Sequence, residues 1–388
     1  MKITDLRTVL VGNPWKNWLF VVIETDEGLR GLGEATLGLS TLPVEGALQE
    51  LKRFVVGEDP LRVPALTEKI ARAWYLPTDQ VHVTAISGVE IACWDLLGKT
   101  LGVPLHRLWG GAMRDPVPAY GNGWYPSGQD PAEFAARARA LVRRGFRAMK
   151  FDPFGAAHRD LSPEEEARSL DVVAAVREAV GPNVELIIEA HDRFDVVPAI
   201  RIGRRLEPYR IGWYEAPVHS ADVDALVRVA GEVPVPVGAG ERFSQPGQFV
   251  RLGESRTLLT WLPETLSIGG VWGIQQVVAL GLAYGARIAI HNARGPVCTA
   301  VNAHLAAWMP NFRIQEVFDE TIAPLAYEVV RGTPRIVDGC LQVPSGPGLG
   351  VELDEAAAAR YPYAAGNFMH FFEAGWERRF PAGKGVGA

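Results

Sequence analysis

Three glutamates stand at or near the ends of short apolar runs. Glu189 closes VELIIE, Glu215 sits in GWYEAPV, and Glu241 follows VPVGAG. Carboxylates that converge on one point repel one another and raise their own pKa values unless a cation joins them. A hard divalent ion resolves the conflict. Mg²⁺ takes carboxylate oxygens in octahedral geometry and keeps positions open for substrate oxygens, and Mn²⁺ would serve in its place. No cluster of histidines and cysteines argues for zinc. The competing explanation is local ion pairing, since Arg242 follows Glu241 and Arg193 lies near Glu189.

Acid–base groups surround this trio. Residues two apart on a strand face the same way, so His191 is expected to point into the mouth beside Glu189. Lys150 and Asp152 share a direction by the same rule. His291 ends the run RIAIH and Glu264 ends TWLPE. A carboxylate bonded to one imidazole nitrogen fixes the tautomer and makes the other nitrogen more basic, so a His291–Glu264 dyad would be a general base. Glu316 ends RIQE. If kept protonated, it would donate a hydrogen bond to an oxygen that becomes negative. Together these parts suit removal of the weakly acidic proton beside a substrate carboxylate. The metal would offset the developing charge, and His191 would assist departure of a 3-hydroxyl.

Something must bring these residues to one place. The positions 189, 215, 241, 264, 291 and 316 are separated by 26, 26, 23, 27 and 25 residues, one strand–helix unit each. Eight apolar runs alternate with amphipathic stretches: 116–120, 148–151, 184–190, 211–215, 233–237, 258–262, 287–291 and 313–317. Eight strands alternating with helices predict a parallel (β/α) barrel, whose chemistry lies at the C-terminal rim of its strands. Residues 1–115 read differently. Trp18–Glu24, the turn Thr25–Gly28 and Leu29–Ala35 form a hairpin, and the apolar spacing then turns helical. This predicts an α/β chain with an α+β capping domain over 1–115, a barrel over 116–320, and a segment 321–388 that returns to the cap. Pro381–Ala388 reads as a loose tail.

The bulk properties narrow the setting. A chain of 388 residues, 48% apolar, can bury one large core and a smaller one. The net charge of −6, with no basic block, makes nucleic acid a poor partner. Trp18–Ile23 and Val277–Ile290 are too short to span a bilayer, so no membrane segment is expected. Cys93, Cys298 and Cys340 are scattered and odd in number, which fits a reducing cytoplasm.

The segment AISGVEIACWDLLGKTLGVPLHRLWG (85–110) and the strand-end motifs EAH, YEAP, GAGER, PETLSIGG, HNARGPV and PGLGV make the chain resemble the enolase superfamily, mandelate-racemase subgroup, over nearly its whole length. The resemblance implies a capping domain completed by the C-terminal segment, Mg²⁺ on Glu189, Glu215 and Glu241, and His291 as base. KFDPFG, with a histidine two residues after the third-strand glutamate, is similar to acid-sugar dehydratases of galactonate-dehydratase type, with His191 as acid. A sugar acid is then the expected small-molecule partner, and barrels of this kind often form homo-oligomers. Two departures stand out. The racemase's Lys-x-Lys is Lys150-Phe151-Asp152 here, and the dyad carboxylate is Glu264 rather than aspartate. Cycloisomerisation or epimerisation of a sugar acid stays open, as does a barrel that binds a sugar acid without turnover. A loop near the first hairpin, with Trp15, Lys16 and Trp18, and the residues after the first barrel strand, Tyr120, Asn122 and Trp124, are candidates for substrate contact, together with Asp152 and Arg242.

Overall fold

The computed structural model describes residues 1–74, 79–318, 325–367 and 370–376. The tail at Pro381–Ala388 and the boundary expected at 320/321 lie outside the described residues.

Three antiparallel strands open the chain: β1 (Ile3–Val11), β2 (Trp18–Thr25) and β3 (Arg30–Glu34), in that order. Helices α1 (Thr41–Val55), α2 (Val63–Ala71) and α3 (Gln80–Leu101) pack against them over a core of their own. Helix α3 is long and apolar enough to cross a membrane, yet 78% of its apolar window is buried in the fold. Its composition follows from being covered on several sides. It was not among the apolar stretches singled out above. The short helix α4 (Leu105–Leu108) follows.

Eight strands then run parallel: β4 (Val117–Gly121), β5 (Ala148–Phe151), β6 (Glu185–Glu189), β7 (Trp213–Glu215), β8 (Val237–Ala239), β9 (Thr260–Trp261), β10 (Arg287–Ile288) and β11 (Gln315–Val317). β4 to β10 pair in sequence order, and β11 pairs with β4. A parallel bridge between Ile288 and Phe312 links the β10 and β11 sides, so the sheet closes on itself. Tyr120, Ala148, Ile187, Trp213, Leu262, Ala289 and Ile314 form a separate buried cluster, supplied from around the ring, that fills the interior.

One strand differs from the expected register. β8 begins at Val237 rather than Val233, because Pro234 and Pro236 have no N–H to give a ladder. The connecting helices include α5 (Pro131–Arg143), α6 (Pro163–Val180), α7 (Val196–Arg205), α8 (Val223–Glu232), α9 (Gln248–Ser255), α10 (Gly270–Tyr284) and α11 (Pro296–Trp308). Ser162 and Glu165 close a capping box at the start of α6.

Buried carboxylates fasten the first domain to the barrel. Glu34, at the end of β3, accepts from Gly295 N (2.6 Å) and Cys298 N (2.9 Å) at the start of α11. Glu90, on α3, accepts from Val271 N (3.0 Å) and Trp272 N (2.9 Å) at the start of α10. Both satisfy orphan N–H donors at a helix start. Asp95 accepts from Leu32 N and from Leu349 N of the C-terminal segment. That segment also reaches β1, where Glu355 pairs with Arg7, and its Cys340–Leu341 strand runs antiparallel to the start of β4. The loops after β9 and β10, which carry Glu264 and His291, are therefore held at both ends.

Candidate active site

Glu189 ends β6 and Glu215 ends β7, and the two residues are paired in register. Glu241 lies two residues past β8. Each offers an oxygen, and the three atoms lie within 4.8 Å of one another. Trp213 Nε1, from inside the barrel, donates to the second Glu215 oxygen at 2.8 Å. Glu241 Oε2 is buried and makes no hydrogen bond, although His291 Nε2 lies 3.2 Å away. An all-oxygen donor set with a buried, unsatisfied carboxylate oxygen fits a hard divalent cation.

Lys150 on β5 reaches the same point. Its Nζ lies 2.6 Å from Glu215, 3.0 Å from Glu189 and 3.1 Å from Glu316. Burial works against its charge, but Glu215 and Glu316 outweigh it and hold the ammonium well above its ordinary range. Burial and the neighbouring Glu189 hold Glu215 well above the usual carboxylate range. Burial also pushes Glu241 upward, yet His291 and Lys150 bring it below the ordinary value. Of the arginine pairings considered for the trio, the one to Glu241 is present but shared, and the one to Glu189 is replaced. Arg193 is buried against Asp152, and Arg242 lies nearer Asp192 (3.4 Å) than Glu241 (3.6 Å).

His291 and Glu264 are brought together by the backbone itself. A parallel bridge joins the two residues beyond the ends of β9 and β10. His291 Nδ1 lies 2.8 Å from Glu264 Oε2, so the longer side chain does reach. Arg294 Nε donates to the same oxygen at 2.9 Å, and Leu266 N donates to the other. Burial pushes Glu264 up, but Arg294 and His291 more than reverse it. The imidazole is raised in turn: burial lowers it, while Glu241, Glu316 and Glu264 raise it.

His191 lines the cavity, though not by strand alternation. β6 ends at Glu189, and His191 and Asp192 take left-handed backbone angles (φ +52° and +59°). The turn is closed by His191 N donating to Glu189 Oε1 at 2.8 Å and Asp192 N donating to Ala216 O at 2.7 Å. His191 Nδ1 then lies 2.6 Å from Asp152 Oδ2. Asp152, where the racemase pattern has its second lysine, is thus held between an imidazole and the buried Arg193 guanidinium.

Glu316 does not match its expected role. Asn122 Nδ2 (2.7 Å), Asn292 N (2.7 Å) and Lys150 all point donors at it. Burial raises its pKa, but Lys150 and His291 carry it below the ordinary value. It accepts hydrogen bonds as an ionised carboxylate, so no proton is arranged for donation.

The groups around the trio open onto a cavity of about 460 Å³. Trp15, Lys16, Asn122 and Arg242 line it, as expected. Trp15 stacks on Phe318 at 4.4 Å, and Lys16 Nζ donates to Ala293 O at 2.6 Å. Trp18, Tyr120, Trp124 and Asp152 do not line it. Trp18 is packed into the buried core that β2 shares with the barrel, beside Phe20. Tyr120 fills the barrel interior, with Lys150 Nζ 5.8 Å from its ring centre. Trp124 packs against Phe134 and Phe151, and its Nε1 donates to Lys150 O at 2.9 Å. Among the lining residues that the sequence reading does not reach are Leu37 and Leu39 after β3, Arg294, and Phe371 near the far end of the chain. Arg294 was within reach, three residues after His291 in HNARGPV. Nothing in the local pattern announces the other three.

Residues 12–110 match the mandelate racemase / muconate lactonizing enzyme N-terminal domain, and residues 133–357 match the enolase C-terminal domain-like family. The chain belongs to the mandelate racemase / muconate lactonizing enzyme family of the enolase superfamily. A D-gluconate dehydratase of Thermoproteus tenax is 34% identical over 349 residues, covering 89% of this chain and 70% of that protein. A D-galactonate dehydratase of Ralstonia nicotianae is 31% identical, covering 92% and 93%. Among solved structures, a mandelate racemase/muconate lactonizing enzyme-like protein from Roseovarius sp. TM1035 superposes with a TM-score of 0.88 at 31% identity, over 94% of this chain and 96% of that one.

Proposed function

We propose that this protein dehydrates a sugar acid, removing the proton beside the carboxylate and expelling the 3-hydroxyl to give a 2-keto-3-deoxy acid. One observation carries the reading. Two imidazoles, each tied through Nδ1 to its own carboxylate, follow the third and seventh of eight barrel strands. Strands four apart in a closed ring of eight stand across the barrel from each other. A substrate between them has a base on one face and an acid on the other.

A carboxylate on Nδ1 makes that nitrogen the N–H donor and leaves Nε2 for the substrate. His291 Nε2 takes the α-proton, and Glu264 stabilises the imidazolium that results. His191, oriented through Nδ1 by Asp152, gives its Nε2 proton to the 3-hydroxyl oxygen as the C3–O bond breaks, and water leaves. The enol that remains takes up a proton to become the 2-keto acid. Glu189, Glu215 and Glu241 would hold Mg²⁺, or Mn²⁺, whose charge offsets that developing on the substrate carboxylate. Lys150, among the same carboxylates, is placed to meet a substrate oxygen as a fixed cation. Asp152 takes the place of a second lysine, which weighs against a two-base racemase. The dehydratase names of the relatives support the substrate class, and three cysteines outside any disulfide suit the cytoplasm.

The test is a panel of aldonic and aldaric acids with Mg²⁺, read by semicarbazide trapping of the keto product. No product across the panel, with metal binding intact, would count against dehydration. Solvent-deuterium incorporation without keto product would point to epimerisation instead.

A further inference from the structure

The C-terminal segment 370–376 lies beyond residue 357, where the family match ends. It returns to the mouth of the barrel. The His191 ring sits 5.0 Å from Phe371 and 5.2 Å from Trp376, centre to centre, and the two aromatic rings are 4.9 Å apart. Trp376 is 4% exposed, and its Nε1 donates to Gly155 O at 2.9 Å. Arg193 Nη1 donates to the same carbonyl at 2.9 Å, and its guanidinium lies 5.2 Å from the Phe372 ring. His191 is therefore flanked from outside by Phe371 and Trp376, while Phe372 covers the Arg193 guanidinium that holds Asp152. Phe371 also lines the cavity.

We infer that Phe371 and Trp376 form a wall that seals the acid side of the cavity, holding His191 toward the substrate and keeping bulk water from it. Trp376 is a positioning residue. Its hydrogen bond to Gly155 fixes the segment, and its ring edge limits how His191 can turn. Phe371 is a specificity-determining residue, because its ring is an apolar surface against which the C–H face of a sugar beside C3 would rest. An enclosed acid delivers its proton to the leaving oxygen rather than exchanging it with solvent, and small displacements of such a group are costly. The inference rests on the dehydratase reading of the site, although the wall itself can be tested without it.

The experiment compares the full chain with one ending at Asn367 and with Phe371→Ala, Trp376→Ala and Trp376→Phe. Diethyl pyrocarbonate labelling, followed by mass spectrometry, reads access to His191, with exposed His219 as the internal control. The expected result is severalfold faster labelling of His191 in the shortened chain and in Trp376→Ala, with His219 unchanged and Trp376→Phe in between, since it keeps a ring but loses the hydrogen bond to Gly155. With a turned-over sugar acid, kcat for dehydration should fall about 10- to 100-fold while α-proton exchange in deuterated water is kept. Retained exchange separates a displaced acid from a collapsed fold. Unchanged His191 labelling overturns the wall, and so does faster labelling with undiminished dehydration. If the full chain dehydrates no sugar acid, the proposed function fails, and the labelling contrast alone decides the wall. Should the shortened chain not fold, the point variants carry the same comparison.

Discussion

Glu264 Oε2 lies 2.8 Å from His291 Nδ1, and Arg294 Nε occupies the same oxygen at 2.9 Å. The glutamate is one methylene longer than the residue usual at this place, yet the bridged backbones of residues 264 and 291 bring it into contact. Its length is matched to its surroundings, because its other oxygen accepts from Leu266 N. Glu264→Asp should therefore lower kcat about 10- to 100-fold rather than improve the dyad. His291→Asn should abolish both dehydration and α-proton exchange. A Glu264→Asp variant with full activity would show that the contact does not tune the base.

Asp152 offers a way to separate the two halves of the reaction. It touches His191 and Arg193 and makes no contact with His291. Asp152→Asn should depress dehydration while α-proton exchange continues, since only the acid loses its orienting carboxylate. Arg193 is fully buried, so leaving its charge without a counter-ion should also destabilise the fold by about 3–5 kcal/mol. Urea unfolding measures the second effect, and exchange in deuterated water measures the first. Loss of both activities in equal measure, in a folded variant, would remove His191 from the acid role.

The cluster of Glu189, Glu215 and Glu241 predicts linkage between metal and stability. A cation that binds only the folded chain should stabilise it by about 2.7 kcal/mol at a hundredfold excess over its Kd. Mg²⁺ should raise Tm in a concentration-dependent way, and EDTA should remove activity that Mg²⁺ or Mn²⁺ restores. Glu215→Gln should lose most of the Tm response. A Tm indifferent to Mg²⁺ would leave the cluster to be neutralised by Lys150 and Arg242 alone.

The metal trio, the dyad and the barrel were legible because each glutamate and His291 follows an apolar run at an almost constant interval. That interval is a property of βα units and survives in one sequence. Residues whose direction depends on packing were less legible. Alternation assigned His191 to the mouth, but the strand stops at Glu189 and a left-handed turn makes the placement. Trp18 and Trp124 resemble pocket aromatics by proximity, yet the strand pleat and the helix over it send both into the core. Glu316 was read as a neutral donor because a strand end alone does not reveal Asn122, Asn292 and Lys150 converging on it. Phe371 comes from more than 50 residues beyond the last barrel strand, and only the folded chain places it against His191.

Glu90 makes a prediction about the fold rather than the reaction. It is buried on α3 and accepts from Val271 N and Trp272 N at the start of α10, and from Trp94 Nε1 at 2.7 Å. Gly270, with φ +77°, lets the chain turn over it, since a Cβ there would lie 2.1 Å from the carboxylate. Burial pushes Glu90 from 4.5 up to about 7, against the pull of the three N–H donors. The folded chain thus binds this proton more tightly than the unfolded chain does. Between pH 4.5 and about 7 the native state carries more bound protons, so the contribution is fully present below pH 4.5 and is lost as pH rises through 7. The shift corresponds to about 3 kcal/mol at most. Glu90→Gln cannot ionise. Its amide nitrogen would also face a backbone N–H, which lowers stability at every pH without tilting the curve. Urea denaturation across this window should show the wild-type chain losing stability relative to Glu90→Gln as pH rises. Two parallel profiles would mean that Glu90 does not titrate there, and that the helix N–H groups hold it ionised throughout.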